Sequence, residues 1–135
     1  AYEMTSSLVG SEMCIRDKSG GHCDTAVGSA LSIIVAPLVR GRIPTVVDKV
    51  LTRITPGSSV DVLVTDHGVA VNPARPELAQ RLQAAGLKTV TVEWLRDRAR
   101  QLTDEPQPIA FTDKPVAIVH YRDGSVIDIV YQVRD

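Results

Sequence analysis

A short run near the start of the sequence combines two glycines with side chains that can do chemistry. It reads Gly20-Gly21-His22-Cys23-Asp24. Adjacent glycines admit positive φ and leave their N–H groups unshielded, so a ligand oxygen or thioester carbonyl can approach them as in an oxyanion hole. His22 and Asp24 could position a substrate carboxylate, or orient the loop through hydrogen bonds to its backbone. The alternative is a plain glycine turn in which Asp24 caps the segment that follows.

A second candidate motif, Asp66-His67-Gly68, comes directly after an apolar run that predicts a strand, Val60–Thr65. Open α/β sheets bind ligands at the carboxyl ends of such strands. Asp66 and His67 could act there as acid, base or polar contacts. The alternative is a strand-ending turn in which the Asp66 side chain binds its own backbone.

Metal and thiol chemistry are less favoured by the same residues. His22, Asp24, Asp66 and His67 could in principle converge on a metal, but the sequence has no HxH, HExxH or paired-cysteine spacing, so no metal site is predicted. Cys23 as a nucleophile would need exposure and a nearby basic group. A small buried thiol is the favoured state.

The apolar patterning around these motifs predicts an α/β fold with a mixed sheet and flanking helices. Strands are predicted at Leu31–Pro37, Arg42–Val47, Val60–Thr65 and Leu87–Val92, the second of them interrupted by Pro44. The run Leu31–Pro37 is continuously apolar and rich in β-branched residues, which is typical of a strand buried on both faces.

Two helices are predicted between and after these strands. Pro76 suits the first turn of a helix that continues from Glu77 to a glycine C-cap at Gly86. The second helix covers Glu93–Leu102, with Trp94 expected in the core. Its three arginines, Arg96, Arg98 and Arg100, are expected on a solvated face.

The remaining regular segments are a loop and a hairpin. Asp66–Pro76 is predicted to be a loop that carries the second candidate motif. Two alternating strands within Pro115–Val133 flank Asp123-Gly124, which is a strong signal for a β-hairpin.

The first 18 residues do not follow the pattern of the rest. Ala1–Lys18 has no sustained period of two or of 3.6 residues and no turn chemistry. It resembles a translated sequencing-adapter read, and an ordinary frayed arm is the alternative. We therefore predict a non-native or disordered arm over residues 1–18 and place the domain at residues 19–135.

Length and composition limit the classes of function. The 135 residues are 44% hydrophobic, which suits one domain with a real core, and the formal net charge of -1 argues against a nucleic-acid binder. No apolar run approaches the roughly 20 residues of a membrane span, and the N-terminal segment lacks the basic-then-apolar order of a signal peptide. Two cysteines at this spacing form no disulfide framework. A cytoplasmic protein without a membrane partner is predicted.

From Ser19 to Asp135 the sequence resembles the C-terminal region of the citrate lyase alpha subunits, a family of citrate CoA-transferases. The likeness is carried by the stretches GGHCDTAVGSALSIIVAPLVRGRIPTVV, VTDHGVAVNPARPELAQRL, EWLRDRAR, QPIAFTDKP and YRDGSVIDIVYQV. It implies the C-terminal portion of a truncated CoA-transferase domain, in a family whose two similar α/β halves share an active site at their interface.

The resemblance implies a reaction as well. Members of the family exchange acetate for citrate on an acyl carrier protein, turning an acetyl thioester plus citrate into a citryl thioester plus acetate. The thiol belongs to a phosphoribosyl-dephospho-CoA group on the carrier, or gamma, subunit, so this chain itself is expected to bind no cofactor of its own. A separate beta subunit cleaves the citryl thioester.

The resemblance also assigns roles to the two candidate motifs. A GGQxD-type loop of relatives places backbone N–H groups at the acyl carbonyl, and His22 stands where many relatives have glutamine. The stretch VTDHGVA matches a VTEYGVA-like loop that is expected near the same pocket. The implied catalytic positions are Gly20 and Gly21, and the implied substrate-binding positions are His22, Asp24, Asp66 and His67.

One element of the family's chemistry has no counterpart in this sequence. Relatives attack the thioester with a glutamate that lies upstream of the glycine loop. None of Glu77, Glu93 or Glu105 lies in a matching motif, so the chain alone is expected to be inactive. The alternative function is a non-catalytic α/β module that binds a CoA-like ligand or a partner subunit.

Overall fold

Short helices and strands alternate along the chain, and the last two strands form a hairpin. The computed structural model describes residues 21–103 and 107–134. The elements in order are α1 His22–Gly28, β1 Ile33–Val35, β2 Val39–Arg40, β3 Ile43–Pro44, a 3₁₀ turn Gly57–Ser59, β4 Val62–Thr65, β5 Gly68–Val71, α2 Pro76–Ala84, β6 Thr89–Val90, α3 Val92–Leu102, β7 Phe111–His120 and β8 Val126–Val133. The predicted α/β class is confirmed, and so is the C-terminal hairpin.

The larger sheet is mixed, as predicted. Its strand order is β1-β4-β5-β6. The β1–β4 and β5–β6 pairs are parallel, and β4 runs antiparallel to β5. In place of the predicted strand Arg42–Val47, the short strands β2 and β3 pair with each other around Gly41, whose φ of 63° suits a glycine.

The hydrophobic core lies between this sheet and α3. Leu38, Ala70, Leu95 and Ala99 are fully buried, and Val60 is nearly so. The helix α3 packs against β5 and β3, whereas α2 lies along β5 and β6 and buries no residue completely. The chain therefore depends on α3 more than on α2 for its apolar packing.

The strand β1 differs from its prediction. It was expected to be buried on both faces, but Ile33 is 51% exposed and Val35 is 72% exposed. Among the described residues β1 pairs only with β4, which leaves it at the edge of the sheet. An apolar run predicts that a strand can be buried. It does not predict which neighbouring elements will cover that strand.

The segment Asp66–Pro76 was predicted to be a loop, and this was wrong because it contains β5. A two-residue turn at Asp66-His67 reverses the chain, and Thr65 pairs with Gly68. A side chain at Gly68 would lie 2.8 Å from a methyl group of Val90, so the close approach of β6 requires glycine there. The turn is neither Asn-Gly nor Asp-Gly, so the usual hairpin signal was missing.

The prediction that Trp94 belongs to the core was also wrong, since its side chain is 46% exposed. The buried face of α3 is made by Val92, Leu95 and Ala99. The helix begins one residue earlier than predicted, and the Thr91 hydroxyl accepts the N–H of Trp94 as an N-cap. Trp94 is rotated by about 100° from Leu95 on a helix of 3.6 residues per turn, so it points away from the core.

The arginines of α3 lie on its outer side, as predicted. Two of them also form ion pairs with Asp48. Arg96 donates to Asp48 at 2.8 Å, and Arg100 binds the other oxygen of the same carboxylate. Hydrogen bonds to Asp97 and then to Asp48 raise the pKa of Arg96 above its ordinary value. The pairs tie α3 to the loop that follows β3.

The C-terminal hairpin is a separate two-stranded sheet. Its turn contains Gly124 with a φ of 84°. Asp123 accepts hydrogen bonds from the Ser125 backbone at 2.8 Å and from the Ser125 hydroxyl at 2.6 Å. These two bonds, the hydroxyl's first, lower the pKa of the Asp123 carboxyl.

A buried asparagine closes the end of the β4–β5 pair. Asn72 is 8% exposed and donates from its side-chain nitrogen to the carbonyls of Gly57 at 3.0 Å and Val60 at 2.7 Å. Its side-chain oxygen accepts the N–H of Ala74 at 3.0 Å. The amide thereby holds the 3₁₀ turn against the amino end of β4.

Replacing Leu95 with alanine should remove the centre of this core. We expect Leu95→Ala to lower the free energy of unfolding by about 2–5 kcal/mol, measured by urea denaturation. Leu51, which is 67% exposed, supplies the matched control, and Leu51→Ala should change stability by less than about 0.5 kcal/mol. Equal effects of the two substitutions would contradict the assignment of the core.

Asn72→Ala should leave two buried carbonyls without their donor. The expected loss is about 1–3 kcal/mol of unfolding free energy in the same measurement. Gln80→Ala, on the exposed side of α2, is the control because it removes an amide without buried partners. A loss no greater than that of Gln80→Ala would show that the amide does not hold the turn.

Candidate functional site

The described part of the glycine loop is Gly21, which lies directly before α1. Its φ of -88° and ψ of -18° are right-handed helical values, so this residue does not use the positive φ that a glycine admits. A side chain built at Gly21 would meet no atom within 4 Å. The space above the residue is therefore open. Gly20 lies outside the described residues, and its part in the loop stays a prediction.

His22 is the first residue of α1 and binds a distant threonine. Its Nδ1 lies 2.9 Å from the Thr55 hydroxyl oxygen. Thr55 is only 4% exposed, whereas His22 is half-buried. The hydroxyl of Thr25 closes the first turn of α1 by donating to the Gly21 carbonyl at 2.6 Å. One edge of the imidazole thus faces a buried hydroxyl.

Asp24 lies in the first turn of α1 and faces the C-terminal hairpin. Its carboxylate is 3.3 Å from the Nε of Arg122, which belongs to the hairpin turn. Both side chains are about half exposed, so the ion pair contributes roughly 0–1 kcal/mol. The N-cap of α1 is Gly21, which has no side-chain cap bond. The alternative in which Asp24 caps this segment is therefore wrong.

Arg53 connects the loop that carries Thr55 to the start of β8, beside the hairpin turn. Its N–H donates to the Asp128 carboxylate at 2.5 Å, and its Nε donates to the Ile127 carbonyl at 3.1 Å. A second guanidinium nitrogen binds the same carbonyl. The loop is thus held to the strand β8 by both backbone and side chain.

These contacts join α1, the loop and the hairpin into one unit, which we call the α1–hairpin cluster. Its members are His22, Asp24, Arg53, Thr55, Arg122, Ile127 and Asp128. Sequence reasoning missed Arg53, Thr55 and Arg122. The partners of the first two lie 74 and 33 residues away, so no local pattern signals them.

The second candidate motif forms the turn between β4 and β5. Asp66 accepts the backbone N–H of Leu38 at 2.8 Å, and His67 lies 3.9 Å from the Asp66 carboxylate. The Thr65 hydroxyl accepts the N–H groups of His67 at 3.2 Å and Gly68 at 3.1 Å. The turn is therefore satisfied by Thr65, and Asp66 fixes the chain that leaves β1.

The two motifs lie toward opposite ends of the β1–β4 pair. Thr55 and the 3₁₀ turn precede the amino end of β4, whereas Asp66 follows its carboxyl end. The four residues of β4, which span about 13 Å, separate the two motifs along the chain. Across residues 21–103 and 107–134, no hydrogen bond or ion pair joins His22 or Asp24 to Asp66 or His67. A shared pocket stays a prediction.

Within residues 21–103 and 107–134, neither glutamate, Glu77 or Glu93, forms a hydrogen bond or ion pair with the α1–hairpin cluster. Glu77 lies 2.9 Å from Arg75 on the exposed surface of α2, and Glu93 lies in the first turn of α3. Glu105 is outside the described residues.

Other chemistry is limited in the described part of the chain. Cys23 is half-buried, whereas full burial was favoured. Within residues 21–103 and 107–134, no three side chains among His, Cys, Asp and Glu are grouped so that they could hold a metal ion. No helix in these ranges is both long and apolar enough to cross a membrane.

Comparison with known proteins gives a consistent result. The family model for the citrate lyase alpha subunit (CitF) matches residues 4–133. The match begins inside residues 1–18, and the nature of that segment, which lies outside the described residues, stays a prediction. The citrate lyase alpha chain of Escherichia coli K12 is 75% identical over 128 residues, which are 95% of this chain and 25% of that one. The alpha chain of Klebsiella pneumoniae is 62% identical over the same shares.

A solved structure agrees with these relatives. A crystal structure assigned as the alpha subunit of citrate lyase from Streptococcus mutans, in complex with citrate, is 51% identical with a TM-score of 0.82. The alignment covers 85% of this chain and 22% of that one. This chain spans about a quarter of the length of the curated relatives it matches. Because the family model covers nearly all of its residues, the chain belongs to the citrate lyase alpha subunit family.

Proposed function

We propose that this chain is part of a citrate CoA-transferase, the subunit that exchanges acetate for citrate on an acyl carrier protein. The reactants are an acetyl thioester and citrate, and the products are a citryl thioester and acetate. The observation that carries the proposal is the identity of 61–75% to citrate lyase alpha chains over 95% of the chain. The citrate bound to the related Streptococcus mutans structure supports the same substrate.

The exchange consumes no water and begins with a carboxylate attack on the thioester carbonyl. The C–S bond breaks, the thiolate leaves with the electron pair, and the acyl group passes to the carboxylate as an anhydride. A citrate carboxylate then attacks the enzyme carbonyl of this anhydride and displaces acetate. The thiolate attacks the citryl carbonyl of the new anhydride, which forms the citryl thioester and releases the enzyme carboxylate. Each attack places negative charge on the carbonyl oxygen. The attacking glutamate belongs to a part of the family protein that this chain does not contain.

The geometry at Gly21 supports a role for its backbone N–H group in binding that carbonyl oxygen. The position is exposed, its backbone is helical and unstrained, and the space beside it is open to an approaching ligand. An N–H group that is not shielded by a side chain can stabilise developing charge without reorganisation during the reaction. We therefore place the acyl carbonyl of the substrate thioester beside Gly21 and His22.

The separation of the two motifs suits an extended substrate. Citrate alone is too short to reach from His22 to Asp66, which lie toward opposite ends of a strand of about 13 Å. The phosphoribosyl-dephospho-CoA arm proposed on the gamma subunit supplies the reactive thiol at the end of a long chain. Asp66 and His67 would then contact the arm rather than the acyl group. The beta and gamma subunits are the proposed partners, in the cytoplasm.

Gly21→Leu should block the acyl group without disturbing the fold. The test replaces the matching segment of the Escherichia coli alpha chain with this chain and assembles the chimera with its beta and gamma subunits. The leucine side chain would keep the carbonyl oxygen away from the backbone N–H group. The rate of citrate-dependent acetate release should therefore fall roughly 10²- to 10³-fold, as it does when an oxyanion donor is lost.

Gly28→Leu is the matched control, because a side chain at Gly28 also meets no atom within 4 Å but lies at the far end of α1. It should leave the rate within about twofold, since surface substitutions have small effects. An unchanged rate in Gly21→Leu would remove the loop from the mechanism.

The isolated chain should not transfer acyl groups at all, because the nucleophilic carboxylate is supplied from elsewhere. The measurement is acetate release from acetyl carrier protein and citrate with the purified chain, beside the complete chimera. Release by the isolated chain at the chimera's rate would contradict the proposed division of the site.

A further inference from the structure

We propose that Thr55 is a positioning residue that holds His22 as a hydrogen-bond donor toward the acyl carbonyl oxygen. The inference rests on the proposed function and adds a residue to it. The observation behind it is the 2.9 Å contact between His22 Nδ1 and the Thr55 hydroxyl, which joins two residues 33 positions apart.

The burial of Thr55 decides which partner donates. A hydroxyl has one proton, and a buried hydroxyl must place that proton on an acceptor. Thr55 is 4% exposed, and within residues 21–103 and 107–134 no second acceptor for its proton is found. The hydroxyl therefore donates to Nδ1, which must carry a free lone pair.

The tautomer follows from this donation. A neutral imidazole with a lone pair on Nδ1 carries its proton on Nε2. Nε2 lies on the opposite edge of the ring from the buried hydroxyl, and His22 is half exposed. The side chain therefore offers an N–H donor from the residue next to Gly21, in the region where the carbonyl oxygen is proposed to lie.

Neighbouring contacts fix the geometry of this donor. The loop that carries Thr55 is held to β8 by Arg53, and the far side of α1 is held to the hairpin turn by the ion pair of Asp24 with Arg122. The imidazole thus lies between two restrained segments. A fixed donor is worth more to a transition state than a mobile one because it needs no reorganisation.

The test is a double-mutant cycle in the assembled chimera. Thr55→Val should lower kcat for citrate transfer about tenfold with KM little changed, since it loosens a donor without removing it. His22→Ala should cost roughly 10²-fold, as expected for the loss of a donor, and His22→Gln should recover part of that loss through its amide. In the His22→Ala background Thr55→Val should have no further effect, because Thr55 acts through His22.

Two further variants separate positioning from packing. Thr55→Ser keeps the hydroxyl and should retain the parent rate. Thr52→Val makes the same chemical change at an exposed position of the same loop and should also retain it. A full tenfold cost of Thr55→Val in the His22→Ala background would overturn the inference, since it would show a structural effect unrelated to the imidazole.

A labelling experiment reads the tautomer without any need for activity. Diethyl pyrocarbonate reacts with an imidazole nitrogen that has a free lone pair, and mass spectrometry of the assembled chimera reports the modification of His22. With Nδ1 occupied by Thr55 the labelling should be slow, and Thr55→Val should make it several-fold faster while Thr52→Val leaves it unchanged. Equal rates in the parent and Thr55→Val would overturn the proposed hydrogen bond.

The two failures can be told apart. If the parent chimera releases no acetate with citrate, the proposed function fails, and the labelling rates still report on the hydrogen bond. If the parent is active and Thr55→Val matches it in rate and labelling, only the role of Thr55 fails.

Discussion

The parallel pairing of β1 with β4 determines where the rest of the chain lies. These strands are 29 residues apart, so no tight turn between them fixes their register. Two aspartates of the same segment impose it: at the amino end Asp61 accepts the N–H of Ser32 at 2.8 Å, and at the carboxyl end Asp66 accepts that of Leu38 at 2.8 Å. Both bonds go to a charged acceptor, and such bonds are stronger than neutral ones. The pairing in turn sets the position of α1, which enters β1, and of the loop that enters β4.

Within the described residues, the C-terminal hairpin is held to the rest of the chain mainly by polar contacts. Its large apolar side chains are mostly exposed, including Val116, Ile118, Val126 and Val133. Its attachment rests on Arg53, which binds Ile127 near the start of β8, and on Arg122 in the adjoining turn. A few hydrogen bonds and a surface ion pair hold an element less firmly than a buried core would. The position of α1 depends partly on this attachment, so the hairpin belongs to the site although it carries none of the proposed reacting groups.

The sequence predicted those features whose signals are local. The helix after Pro76 ends as its glycine indicated, with Gly86 at a φ of 84°, and the Asp123-Gly124 hairpin formed where expected. Strand Leu87–Val92 was reduced to Thr89–Val90 because Thr91 caps α3 instead. Contacts between distant residues could not be read in this way. The partner of His22 lies 33 residues away along the chain, and the buried role of Asn72 is hidden in a segment that resembles any polar loop.

The tight contact at Gly68 has a consequence for how this family can vary. A methyl group at that position would press on Val90 at 2.8 Å and come within 3.8 Å of Leu95, so its effect would reach from the turn into the core. His67, one residue earlier, is exposed and makes no such contact, whereas Asp66, two residues earlier, accepts the N–H of Leu38. Substitution is therefore tolerated more readily at His67 than at Asp66, which holds the chain after β1, or at Gly68, where a side chain would meet Val90. Side chains with different chemistry can be exchanged at this edge of the sheet while the backbone that presents them stays the same.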